Sequence, residues 1–304
     1  MVFTIRNVFF NNATILLLIA TLGHAGNTIA AKLAINDVSP MVIVSFRWGL
    51  VASILFFVKK KSIKSSFRMM KKHLLWVLLM GGIGLSGFSA LFYTAPNYTS
   101  VINIGIIQCT MPAFVLIGSF IIFKIRVLKI QILGLFFTML GVVILIYGGN
   151  LSLLFNLVTN SGDIIMLIGC IFYAGYSVGL QKRPNLDYLV MMFYFAMAAF
   201  ITSVPMLGLE IYLGLVSWPN TNGWIIILYI ALIPSLLSQV LFMRSVDLIG
   251  SNKAGLFTNL IPIFVATLGV IILNETFYLF HVISMVTVFF GIYIFFLADK
   301  TLKG

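Results

Sequence analysis

Apolar residues in this chain gather into long blocks instead of alternating with polar ones. Ten such blocks, at about 14–33, 41–58, 74–93, 101–123, 130–147, 163–181, 188–208, 224–243, 254–273 and 279–297, can be marked off. Each holds roughly 17 to 22 residues, the length at which a helix crosses a bilayer core of about 30 Å. Most separators are short, so successive helices are expected to be antiparallel neighbours. The longest polar-enriched stretches are 59–73 and 148–162. The pattern predicts an all-α integral membrane protein with ten transmembrane helices.

The blocks also repeat. GLFTNLIPIFVATLGVIILNET, from Gly255 to Thr276, has an echo 150 residues earlier, with Gly105 falling on Gly255, Pro112 on Pro262 and Gly141 on Gly291. Glycine and proline matches carry weight because they mark close helix approaches and bends. The chain therefore divides into a first five-helix repeat, 14–147, a connecting loop, 148–162, and a second five-helix repeat, 163–297. An odd number of spans per repeat makes the second inverted relative to the first.

Charge fixes the orientation. Of the 19 Lys and Arg residues, 17 fall on one face, among them the run KKKSIKSSFRMMKKH, and only Lys32 and Arg47 lie elsewhere. The positive-inside bias puts both termini and the 59–73 loop in the cytoplasm and the protein in the cytoplasmic membrane. The loop LVSWPNTNG, opposite it in the repeat, faces outward without a basic residue. The formal charge of +12 is accounted for by these loops, which sets nucleic acid aside as a partner. A composition 61% hydrophobic and 9% charged excludes a soluble class, where about 25% is charged. Cys109 and Cys170 sit in apolar runs and read as small buried hydrophobes. The first block has a counterpart in the second half, so it reads as structure and not as a cleaved leader.

An inverted repeat places a site near the membrane midplane, where its halves meet. His24, Asn27 and Thr28 share one face of the first helix, and at an offset of 149 they fall on Tyr173, Tyr176 and Ser177. Both triplets must face the bundle or a wet cavity, since a polar group facing lipid goes unpaired. Asn103 and Gln108 precede Pro112, Thr258 and Asn259 precede Pro262, and Gln239 follows Pro234, Ser235 and Ser238. Two readings stand for all of them: a substrate-binding lining or interhelical hydrogen bonds alone. Gly81, Gly82, Gly84 and Gly87 read as a close-packing face. Arg47 is expected to snorkel outward or pair with Asp37, against a role in attracting an anion. No Asp or Glu occupies the middle of a block, which leaves His24 as the only buried group titrating near neutral pH. The three histidines lie on different helices, and no catalytic, metal-binding or nucleotide-binding motif is present. Neither enzymatic activity nor a cofactor is expected.

The opening GHAGNTIAAKLAINDVSPMVIVSFRW and the closing IPIFVATLGVIILNETFYLFHVISMVTVFFGIYIF resemble the EamA-type carriers of the drug/metabolite transporter superfamily. Asn27, the Ser39-Pro40 turn, Arg47-Trp48 and the proline-started ninth helix carry the resemblance. Asn274 departs from it, standing where the family has glycine before Glu275, and Lys124-Ile125 stands where many members keep an acidic turn. The resemblance implies a secondary transporter for a small organic metabolite, working by alternating access with export as the expected direction. The rival is a non-transporting receptor or assembly protein. Partners are then a small-molecule substrate and the lipid bilayer, with a homodimer left open.

Overall fold

The structure, a computed structural model, describes residues 10–35, 37–98, 107, 108, 110–124, 128–146, 161–273 and 278–301. All regular elements among them are helical: α1 (Ala13–Ala34), α2 (Pro40–Lys71), α3 (Leu74–Thr94), α4 (Met111–Phe123), α5 (Lys129–Ile146), α6 (Ser161–Gly179), α7 (Tyr188–Tyr212), α8 (Thr221–Ile249), α9 (251–273) and α10 (Leu279–Thr301). By length and composition α1, α2, α3, α6, α7 and α8 can each cross a bilayer, and α4, α5 and α10 contribute shorter apolar segments. The predicted fourth block, 101–123, is described only in part, and most of the 148–162 loop lies outside the described residues.

Local chemistry sets the helix ends. Asn12 caps α1 by accepting from the Ile15 amide at 3.2 Å, and Asp187 caps α7 by accepting from the amides of Leu189 and Val190. The start of α2 has Pro40 in its first turn, where the missing N–H costs nothing. Its free donors are met from a distance by Glu210 of α7, which accepts from the Ser39 hydroxyl at 2.7 Å and the Met41 amide at 3.2 Å. A carboxylate there also complements the positive end of the helix dipole.

Hydropathy predicts α3 and α8 as plain spans, but both carry a π-helical stretch, Leu78–Gly87 in α3 and Ala231–Ser238 in α8. In α8 the cause is Pro234, which has no N–H for the Ile230 carbonyl one turn back. The Ser235 hydroxyl takes that carbonyl instead, at 2.6 Å. In α3 the stretch coincides with the glycine run, which forms the expected close-packing face. A Cβ on Gly81 would lie 2.8 Å from Ala198 Cβ, one on Gly82 2.9 Å from Thr202 Cγ2, and one on Gly84 2.7 Å from Tyr176 Cβ. Glycine is therefore required for α3 to approach α6 and α7 this closely.

Each half packs mainly on the other. α2 lies along α7, α5 along α10, α3 against α6 and α7, α4 against α6, and α1 against α8 and α9. The apolar core formed this way includes Leu16, Leu17, Trp48, Leu55, Met166, Phe195 and Phe242. Side chains with their apolar faces outward, such as Phe57, Ile121, Ile225 and Phe289, are exposed, as expected of surface meeting lipid.

Candidate functional site

Arg47 is 4% exposed and turned into the bundle. Its Nε donates to Ser235 Oγ of α8 at 2.7 Å and its Nη1 to the Tyr93 hydroxyl of α3 at 2.9 Å. Tyr93 passes the chain on, donating to Asn27 Oδ1 of α1 at 2.6 Å. One guanidinium thus links four helices, and it lies 4.7 Å from the centre of the Trp48 ring, within cation–π range. Asp37 takes the Asn220 amide instead. The expected snorkelling or pairing with Asp37 is therefore corrected: acceptors and an aromatic face inside the bundle hold the side chain inward.

Around this chain lies a cavity of about 40 Å³, room for a few water molecules. Of the residues singled out in the sequence, His24, Asn27, Thr28, Gln108, Tyr173 and Gln239 line it. His24 meets Tyr173 edge-on, with ring centroids 6.4 Å apart and planes at 84°, and its buried Nε2 has no hydrogen-bond partner among the described residues. Thr28 donates back to the His24 carbonyl at 3.4 Å. Most of the remaining wall is apolar and aromatic, with Trp48, Phe88, Phe92 and Met111.

Other candidates sit apart from that lining. Tyr176 is fully buried between Tyr173 and Phe195, with its Cβ against Gly84. Ser177 and Asn259 are buried, have no partner for their side-chain polar atoms among the described residues, and do not line the cavity. Asn103 lies outside the described residues. Thr258, beside Asn259, does reach the cavity. Sequence reasoning missed Tyr93 and the role of Arg47. The available signal was a tyrosine one helix away from an arginine with no acid at its depth.

Polar clusters stand at both ends of α1, which are about 33 Å apart at 1.5 Å per residue. At one end Arg183 forms an ion pair with Asp247. Tyr188 donates to Asp247 at 2.6 Å, and Arg244 donates to Tyr188, to the Phe10 carbonyl and to Asn11. At the other end Glu210 holds Ser39 and Met41, and the Ser39 amide donates to the Ser217 carbonyl at 3.0 Å. The cavity lies between them, midway along α1.

Two stretches of the chain, 11–147 and 160–297, each match the EamA-like transporter family. The chain is 27% identical over 274 residues to an uncharacterized transporter, YyaM, of Bacillus subtilis (strain 168), covering 86% of each protein. An uncharacterized transporter of Archaeoglobus fulgidus is 25% identical, over 93% of this chain and 97% of that protein. The WAT1-related protein At2g39510 of Arabidopsis thaliana is 26% identical, over 89% and 80%. A solved crystal structure 15% identical to the chain superposes with a TM-score of 0.74, over 94% of this chain and 97% of that one, a likeness of fold.

Proposed function

Because the chain belongs to the EamA-like transporter family, we propose that it is a secondary transporter moving a small organic metabolite across the cytoplasmic membrane by alternating access, with export as the direction. It is a membrane transporter and not an enzyme. Ten spans form two inverted five-helix units, 14–147 and 163–297, joined by 148–162, with both termini in the cytoplasm. The substrate sits among His24, Asn27, Thr28, Gln108, Tyr173 and Gln239, with Arg47 in the same wall.

The observation that carries this reading is the edge contact of His24 and Tyr173 at the wall of a buried polar cavity. These residues correspond at an offset of 149, and their contact supports a pseudo-two-fold axis that exchanges the halves beside the cavity. The same axis is supported elsewhere. Gly134 abuts Gly291, and Gly141 abuts Ser284, whose hydroxyl donates to the Gly141 carbonyl at 2.6 Å. Shifting the first pair by 150 residues in opposite senses produces the second. Likewise α1 packs on α8 and α9 as α6 packs on α3 and α4. Such symmetry offers two equivalent packings, in which the clusters at the two ends exchange open and closed states around one fixed site.

A cavity of about 40 Å³ is too small for a metabolite, so loading requires one end to part. Purified protein in proteoliposomes tests the proposal. Saturable flux of a metabolite, lost on Asn27→Ala with the protein still folded, is expected. Saturable binding without flux would refute transport and favour a receptor.

A further inference from the structure

Resting on the transport reading above, we infer that the transported molecule carries one carboxylate, held by Arg47, on an apolar body. The chain has seven acidic residues, and none falls in the middle of a predicted span. Four of them are engaged at the helix ends: Asp37 with Asn220, Glu210 with Ser39 and Met41, Asp187 with Lys59, and Asp247 with Arg183. Arg47 therefore has no counter-anion among the described residues. Its partners are two neutral hydroxyls, on Ser235 and Tyr93, and its Nη2 has no partner among the described residues.

A guanidinium at this depth is costly unless an opposite charge compensates it. Its wall position, beside a cavity, lets a ligand supply that charge. The other polar groups there suit the same guest. His24, Asn27, Gln108 and Gln239 can donate hydrogen bonds to carboxylate oxygens, and Trp48 and Phe92 offer apolar surface for the rest of the molecule. A single fixed cation matches a monoanion better than a dianionic phosphate ester. An amine would meet Arg47 across a small cavity with no carboxylate to receive it.

The test uses the full chain in nanodiscs with six probes: 3-phenylpropionate and hexanoate, their amides, and their amines. Binding is read by thermal shift and by tryptophan fluorescence. The carboxylates are expected to bind and the amides and amines to bind at least tenfold more weakly. Arg47→Gln should lose at least tenfold in carboxylate affinity, while Arg47→Lys keeps the preference for carboxylate over amide. Ser235→Ala and Tyr93→Phe remove the protein partners of the guanidinium but not its charge, so they should lower the melting temperature and keep that preference. Equal binding of amide and carboxylate, or unchanged affinity in a folded Arg47→Gln, overturns the inference. So does the failure of all six probes. Saturable flux of a neutral or cationic compound in proteoliposomes would overturn it while leaving transport standing, whereas the absence of any flux removes the transport reading itself.

Discussion

Gly291→Ala tests whether the two halves meet as matched surfaces. A Cβ at Gly291 would lie 2.6 Å from the Thr138 amide nitrogen, 2.7 Å from the Gly134 carbonyl oxygen and 2.7 Å from Thr138 Cγ2. Ordinary contact begins near 3.4 Å, so α5 and α10 would have to part by roughly 0.7 Å, a gap that forfeits a quarter to a half of each neighbouring dispersion contact. Two of the three obstacles are backbone atoms that cannot rotate away. Overpacking of this kind costs about 1–3 kcal/mol, here toward the upper end, against about 1 kcal/mol gained from the better helix propensity of alanine. The net loss is about 2 kcal/mol, or a fall of roughly 4–8 °C in melting temperature. Gly208 in α7 has nothing within 4 Å of its would-be Cβ, so Gly208→Ala keeps the propensity gain without the clash and should raise stability. Gly141→Ala should resemble Gly291→Ala, because its Cβ would meet Val288 Cγ2 at 2.8 Å and the Ser284 carbonyl at 2.9 Å. Thermal unfolding of the three variants in one detergent decides the matter. Gly291→Ala as stable as Gly208→Ala would refute the reasoning.

Four further outcomes are expected. Single cysteines at Lys64 and Lys300 in a cysteine-free background should resist an impermeant thiol reagent in whole cells, and one at Asn220 should label; labelling of Lys64 from outside would reverse the orientation. His24→Gln keeps polarity and loses titration, so any strong proton coupling of transport should vanish with it; coupling that survives means that another group carries the proton. Asn27→Ala should weaken substrate binding about tenfold, or about 1.4 kcal/mol. Tyr176→Phe, which removes a buried hydroxyl with no partner among the described residues, should leave affinity unchanged and stability equal or higher. Paired melting and binding curves on the last two variants test both statements.

The six helices long and apolar enough to cross a bilayer were legible, because a bilayer leaves one design for a crossing segment, a helix-length apolar run, and hydropathy reads it directly. The π-helical stretches were not legible, since hydropathy is blind to hydrogen-bond register; only the glycine run of α3 and Pro234 of α8 hinted at them. In the site, the three-and-four spacing on α1 was enough to place His24, Asn27 and Thr28 on one wall. On α6 the same spacing puts Tyr173 on the cavity wall, while Tyr176 lies off it. A step of three residues turns about 60° short of a full circle, and the missing side chain at Gly84 gives Tyr176 a slot in the α3 surface. Asn259 lies off the lining for a related reason. It lies in the 3-10 turn Phe257–Leu260, whose 120° step per residue departs from the α-helical facing, and Thr258 meets the cavity instead.

Arg47 shows the limit most clearly. Its sequence position fixes a depth of about two turns into α2, from which a long side chain can reach outward to the interface or inward to the bundle. Depth alone supports both. The choice is made by Ser235, 188 positions away along the chain, and that serine is available because Pro234 shifts the register of α8 and brings its hydroxyl to the Ile230 carbonyl. Once the serine accepts from Nε and Tyr93 accepts from Nη1, turning outward would give up both of these hydrogen bonds and the Trp48 ring contact. The inward pose is therefore held by the backbone irregularity of a helix in the other half. A change that straightens α8, such as Pro234→Ala, should loosen Arg47 without touching it.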